Sequence, residues 1–185
     1  MANDFTSTPL LWVLDSVGAC RPGVHYIKKV LFIPNAADDD VLFKTWDENS
    51  PIAAASKTGK TGTITSNSIM TSTGNVPATV ADGHVIKITV SSGAAANLDS
   101  HVVETAGNDN ACTVHHEDDS WTNEADKVYS WETYYTYPAI VMKAGASDAS
   151  PVHLDFTPPL RIENISLETL TGGTVYVYHA RTQAG

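Results

Sequence analysis

The sequence predicts an all-β fold, an antiparallel β-sandwich of jelly-roll type with at most one short helix. Three observations carry this. Short apolar runs recur along the 185 residues, and they are bounded by Gly, Pro, Asn and Asp. No stretch of useful length has the 3.6-residue periodicity of an amphipathic helix. No internal repeat is present, so a layered architecture of paired strands is the simplest way to bury the 42% of residues that are hydrophobic.

Taken in order, residues 1–9 are polar apart from Met1, Ala2 and Phe5 and end at Pro9, which reads as an N-terminal arm. LLWVLD (10–15) is a short strand, followed by a loop with Gly18, Pro22 and Gly23. In VHYIKKVLFIP (24–34), Val24, Tyr26, Val30 and Phe32 fall on one side and Ile27, Leu31 and Ile33 on the other. Two apolar faces suit a central strand. After an acidic turn, VLFKTWD (41–47) is again a strand.

At residue 48 the texture changes. Residues 48–82 are rich in Thr, Ser, Ala and Gly and poor in large apolar side chains, which predicts thin exposed β-structure or long loops outside a core. HVIKITV (84–90) is a firm strand, and SGAAANLDSHVVE (92–104) is the best helix candidate. Residues 105–127 are polar and turn-rich. VYSWETYYTYPAIVMK (128–143) is a long strand or a bent pair, with Tyr129, Trp131, Tyr135 and Tyr137 as an aromatic stripe. PVHLDF (151–156) and LRIENISLET (160–169) follow. In the latter, the apolar parity switches from Leu160 and Ile162 to Ile165 and Leu167, which signals a bulge or bend near Glu163-Asn164. The last strands read as a hairpin through Thr171-Gly172-Gly173-Thr174. Its final strand carries Val175 and Val177 on one face and Tyr176 and Tyr178 on the other. The domain reading is one sandwich over 10–185, with an elaboration inserted at about 48–150.

Composition excludes several functions. The formal charge is −10, with only 11 Lys and Arg, and phosphate binding needs clustered cations. Neither nucleic acid nor an anionic membrane is an expected partner. The beginning, MANDFTSTPLLWVLDSVG, lacks a basic n-region and its apolar run is broken by Asp15, so it reads as neither signal peptide nor membrane span. Cys20 and Cys112 match no metal or redox spacing. They read as two buried thiols or one long-range disulfide.

The motifs point the same way. SKTGKTGT (56–63) imitates a phosphate loop, but Ala54 stands where the first glycine belongs and no strand-to-helix context surrounds it. In His115-His116-Glu117-Asp118-Asp119, neighbouring residues on extended chain point to opposite faces and seldom share one ion. Asp38-Asp39-Asp40 lacks the ligand spacing of a calcium loop. No nucleophile elbow is present. The sequence therefore predicts no enzyme, no metal and no cofactor.

LWVLDSVG, then VHYIKKVLFIPNAADDDVLFKTWDEN, and finally PPLRIENISLETLTGGTVYVY form a pattern: a Trp-containing strand closing on Leu-Asp, a strand built on V-x-x-I-x-x-V, an alternating strand closing on Asp, and an ending from Pro159 to Tyr178. This pattern resembles a group of small virion-associated proteins of tailed bacteriophages. It covers residues 10–47 and 158–179, about a third of the chain, and the middle departs from it. The resemblance implies a compact β-sandwich in a phage particle, with no catalytic residues to carry over. It leads to the expectation of a capsid decoration, or cement, protein on the capsid exterior. The expected partners are the major capsid protein and the chain itself, as a homotrimer. Phe5, Tyr129, Trp131, Tyr135, Tyr137, Tyr176 and Tyr178 are the candidate interface residues, because Tyr and Trp join a large apolar body to a polar tip. The alternatives are a tail, baseplate or fibre component, and a carbohydrate-binding module stacking sugars on Trp131 and Tyr135.

Overall fold

A computed structural model describes residues 4–8, 11–65, 68–71, 79–91, 99–105, 111–115 and 122–180. Among these residues the fold is all-β, with twelve strands and no helix. The strands are β1 (Asp4–Thr8), β2 (Leu11–Leu14), β3 (Cys20–Ile33), β4 (Asp40–Pro51), β5 (Lys57–Thr65), β6 (Ser68–Thr71), β7 (Val85–Ser91), β8 (Ser100–Thr105), β9 (Ala111–Val114), β10 (Glu124–Lys143), β11 (Val152–Leu170) and β12 (Thr174–His179). Every pairing whose register is resolved is antiparallel. The chain divides into two compact units. Unit 1 comprises Met1–Thr45 and Tyr137–Gly185, and unit 2 is Trp46–Thr136. β4 and β10 each run through a boundary, so residues 137–143, within the elaboration expected at 48–150, belong to unit 1.

Unit 1 is sandwich-like. Its strands neighbour one another in the order β1-β2-β12-β3-β11-β4-β10. The long strand β11 serves two partners, one on each edge. β11 pairs with β3 from Val152↔Phe32 to Ser166↔Cys20, and its last residues pair with β4, from Ile165↔Thr45 to Leu170↔Val41. The ladder with β3 slips twice along β11. One break lies between Asp155 and Leu160, a span holding Pro158 and Pro159, which have no N–H to donate. The other lies between Glu163 and Ile165. There Asn164 adopts φ 53° and its side-chain Oδ1 accepts from the Gly23 N–H at 2.7 Å. The parity switch read from the sequence at Glu163-Asn164 is this bulge.

The core of unit 1 is mostly aliphatic, with two phenylalanines: Leu14, Ile27, Val30, Phe32, Val41, Phe43, Ile140, Met142, Ile165, Leu167, Val175 and Val177 are buried together. Each such side chain contributes about 1.5–3 kcal/mol by leaving water. On β3, Ile27, Val30 and Phe32 face this core while Val24, Tyr26 and Ile33 are exposed. The sequence grouped Val24 and Tyr26 with Val30 and Phe32. A register slip on β3 between Lys29 and Ile27, opposite Tyr178 and His179, changes the parity and separates them.

The expected hairpin through Thr171–Thr174 is not formed. β3 lies between β12 and β11, and the two strands flanking the Gly pair are not neighbours. The connection is instead an arch that leaves the β4 side of the sandwich and arrives on the β3 side. Steric contact explains why two glycines stand there. A Cβ on Gly172 would lie 2.7 Å from Asp39 Oδ2, and one on Gly173, at φ 95°, would lie 2.1 Å from the Ile33 carbonyl oxygen. The arch is fastened by Asp40 N–H donating to Thr171 Oγ1 at 2.8 Å and by Asp39 Oδ2 accepting from the N–H groups of Asn35 and Ala36.

Unit 2 is a closed ring of strands in the order β10-β5-β6-β9-β8-β7, with β7 pairing back onto β10. β10 closes the ring by using both edges. Glu124 to Trp131 pair with β5, and Tyr129 to Tyr134 pair with β7. The interior holds Ile64, Ile69, Ile86, Ile88, Val103, Cys112 and Val114 around Tyr129 and Trp131. The segment expected to be thin and exposed therefore supplies core residues, including Ile52, Ala55, Ile64, Ile69 and Val80. The helix expected over 92–104 is contradicted in its second half. Ser100–Thr105 is β8, held by Val85↔Val102 on β7, and its β-branched Val102 and Val103 favour that state. Residues 92–98 lie outside the described residues.

Candidate interaction surface

The twisted sheet of unit 1 leaves β12 flanked by β2 and β3, so alternate residues of three strands form one outer face. Tyr176 stands in register with Val13 and Leu31, and Tyr178 with Leu11 and Lys29. All of these are half-buried by one another, while Val175 and Val177 on the reverse face are fully buried. The face continues to Ile33, 40% exposed, and to His153 and Asp155, which pair with Leu31 and Lys29 and remain more than half exposed. It is an apolar and aromatic band bordered by charge. The sequence predicted Tyr176 and Tyr178 but not Leu11, Val13 or Leu31. The signal for those three was the topology that sets β12 between β2 and β3.

The aromatic stripe predicted on β10 does not stay on one face. Tyr129 and Trp131 are each 1% exposed inside unit 2. Trp131 Nε1 donates to the Ala55 carbonyl at 2.9 Å, which the Thr133 hydroxyl also reaches at 3.2 Å. Neither aromatic residue is an interface residue of the folded chain, and Trp131 cannot stack on a sugar. The ladder slips between Ser130 and Trp131, where β7 partners jump from Val90 to Ile88, and burial on β10 continues to Thr133 before passing to Tyr134. Burial and the neighbouring Glu132 carboxylate push the Tyr134 hydroxyl up from its ordinary value. Tyr135 is 53% exposed in unit 2, edge-on to His84 at 5.2 Å. Tyr137 is 57% exposed in unit 1, on the same stretch of β10 as Val141 at 63%. Phe5 lies on β1, antiparallel to β2, in the segment read as an arm, and its side chain lies outside the described residues.

Neither cysteine forms a disulfide. Cys20 is buried in unit 1 and Cys112 in unit 2, where burial pushes its thiol up to about 12. Such a thiol is unreactive at neutral pH. No group of three His, Cys, Asp or Glu that could hold a metal occurs among the described residues, and His116 to Asp119 lie outside them. The phosphate-loop imitation at 56–63 runs into β5, a strand.

One further cluster was invisible in the sequence. Trp12 of β2, His25 of β3 and His179 of β12 meet, with ring centroids 4.1 Å apart for Trp12–His179, 5.0 Å for Trp12–His25 and 6.0 Å for His25–His179. Burial lowers both imidazoles from their ordinary value, His179 to about 4. The separation of positions 12, 25 and 179 along the chain hides such a grouping from any local pattern. No family model, curated protein or solved structure matches the chain.

Proposed function

We propose that the chain is a structural protein of a bacteriophage virion, a capsid decoration protein that clamps to the major capsid protein and to sister copies, as a trimer, through non-covalent contacts. One observation supports this reading above the rest. The two end segments that resemble virion-associated proteins are interleaved in unit 1: β12 lies between β2 and β3, and β11 between β3 and β4. Segments more than 100 residues apart in sequence thus make one framework, and the strands of residues 46–136 interrupt it as a separate unit. A decoration protein needs a stable framework that presents a face, and the band of Leu11, Val13, Leu31, Tyr176 and Tyr178 is such a face. A standard interface of about 1,600 Å² suffices for each contact, and repetition over a shell multiplies modest affinities.

The test is the copy number of this chain in purified virions by quantitative mass spectrometry. The expected result is hundreds of copies per particle. Tens of copies assign it to the tail or baseplate instead, and none overturns the virion reading. Tyr176→Arg together with Tyr178→Arg is expected to lower occupancy on shells at least about tenfold, while the circular dichroism spectrum of the free protein is unchanged.

A further inference from the structure

In the strand order of the described residues, the edge of unit 1 formed by β1, β2 and β12 is hydrogen-bonded to the rest of the sheet through β3. That attachment is regular from Thr174↔Ile33 to Tyr178↔Lys29, and then the ladder slips, so that His179 faces Ile27. At the slip, the remaining backbone support is the Ala180 N–H donating to the Tyr26 carbonyl at 2.8 Å. The Trp12–His25–His179 ring cluster sits at this irregular end.

We infer that Trp12, His25 and His179 form an acid-sensitive latch, which holds β12 and β2 against β3 while both imidazoles are neutral and releases that edge when they are protonated. Three features carry it. The rings pack edge-to-face or, for Trp12 and His179, tilted, at distances where an uncharged imidazole gains contact. The Nε2 atom of His179 is buried and meets no hydrogen-bond partner among the described residues, so a proton placed there has no acceptor. A charge on each ring would set two cations 6.0 Å apart in a poorly hydrated place.

The surrounding charges do not compensate. Arg21, on β3, is the charged side chain that acts on His25, and its own cation opposes protonation. His25 is the group that acts on His179. From β2 the cluster receives Trp12, and from β11 the residue opposite His25 is Ile162, neither of which ionises. Glu163 and Arg161 flank Ile162, but they pair with each other at the exposed surface. Burial outweighs the two interactions that favour the His25 proton, with the Arg21 carbonyl, 3.2 Å from Nε2, and with the backbone of Pro22. The sign follows. Both folded values lie below the unfolded value near 6.5, so the latch is fully engaged above that pH and is lost as pH falls towards about 4.

Hydrogen exchange on the intact chain tests this. Between about pH 7.5 and about pH 4.5, and after correction for intrinsic rates, amides of β12 and β2 are expected to exchange at least about tenfold faster, as a linked shift of more than one pKa unit requires. The double variant His25→Gln/His179→Gln is expected to show no such acceleration. No acceleration in the unaltered chain overturns the latch, and so does equal acceleration in the variant, which would assign the effect to carboxylates. Should the variant not fold, imidazole carbon NMR on the unaltered protein decides. Titration of His179 well below 6.5 supports the latch, and titration at or above 6.5 overturns it.

Discussion

Unit 1 and unit 2 bury their interiors by different means. Unit 1 packs mostly aliphatic side chains of strongly hydrophobic strands, and among the described residues its strand order runs from an edge at β1 to the C-terminal half of β10. Unit 2 is built from Thr-, Ser- and Ala-rich sequence, and its ring of strands closes through β10. Closure removes the edge that an open sheet must protect. It also makes a small interior that two large aromatics, Tyr129 and Trp131, can fill. The lesson is that low apolar content does not by itself mean loop. A closed ring needs fewer large residues, provided a few plugs are placed where the wall would otherwise enclose a void.

The largest expected effect breaks this comparison at the plug. Trp131→Ala removes a fully buried indole from the core cluster of unit 2 and leaves the Ala55 carbonyl without its indole donor. The expected cost is about 3–5 kcal/mol. Hydrogen exchange is expected to show loss of protection in β7, β8 and β9, with β3 and β11 still protected. Protection unchanged in β7–β9 would mean that the ring does not depend on its aromatic filling.

The arch offers a matching break in unit 1. Gly173→Ala puts a methyl group 2.1 Å from the Ile33 carbonyl oxygen at a backbone φ of 95°, so the backbone itself must move. The left-handed conformation alone costs about 1–3 kcal/mol for a residue with a Cβ. Denaturant unfolding followed at unit 1 residues is expected to shift by at least that amount, while β5–β9 keep their protection. A neutral outcome would show that the arch has slack that the contact distances do not allow.

These two sites also show where the sequence was legible. Strands with plain alternation announced themselves: HVIKITV is β7 and VLFKTWD begins β4. The bulge at Asn164 was readable because parity is a local property. Pairing was not. Thr-Gly-Gly-Thr carries the chemistry of a tight turn, but nothing local says whether the next strand returns beside its predecessor or passes over β3 to its far side. Tyr129, Trp131, Tyr135 and Tyr137 share a parity, but burial along β10 passes from Tyr129, Trp131 and Thr133 to Tyr134, which puts two of the four inside and two outside. The shift in composition at residue 48 falls close to the Thr45/Trp46 boundary. The return at Tyr137 has no such mark, because β10 crosses it as one uninterrupted strand. Long-range facts such as strand order therefore decided which candidate residues form a surface.

The smallest expected effect sharpens the comparison by showing what does not hold unit 1 together. Lys143, the last residue of β10, reaches Asp38 at 3.0 Å, and both side chains are about 60% exposed. Asp38 is also at φ 63°, in the turn before β4, where its own N–H donates to the Gly145 carbonyl and the Asp39 carbonyl accepts from Ala144. Those backbone bonds already join the turn to the end of β10. The ion pair adds little, because water and salt screen it and two long side chains must be ordered to make it. Lys143→Ala is therefore expected to cost less than about 1 kcal/mol in low salt, and the difference should vanish at about 1 M salt. A larger cost, or one that persists in high salt, would show that the open edge at β10 is fastened by charge rather than by the burial of Ile140 and Met142 beneath it.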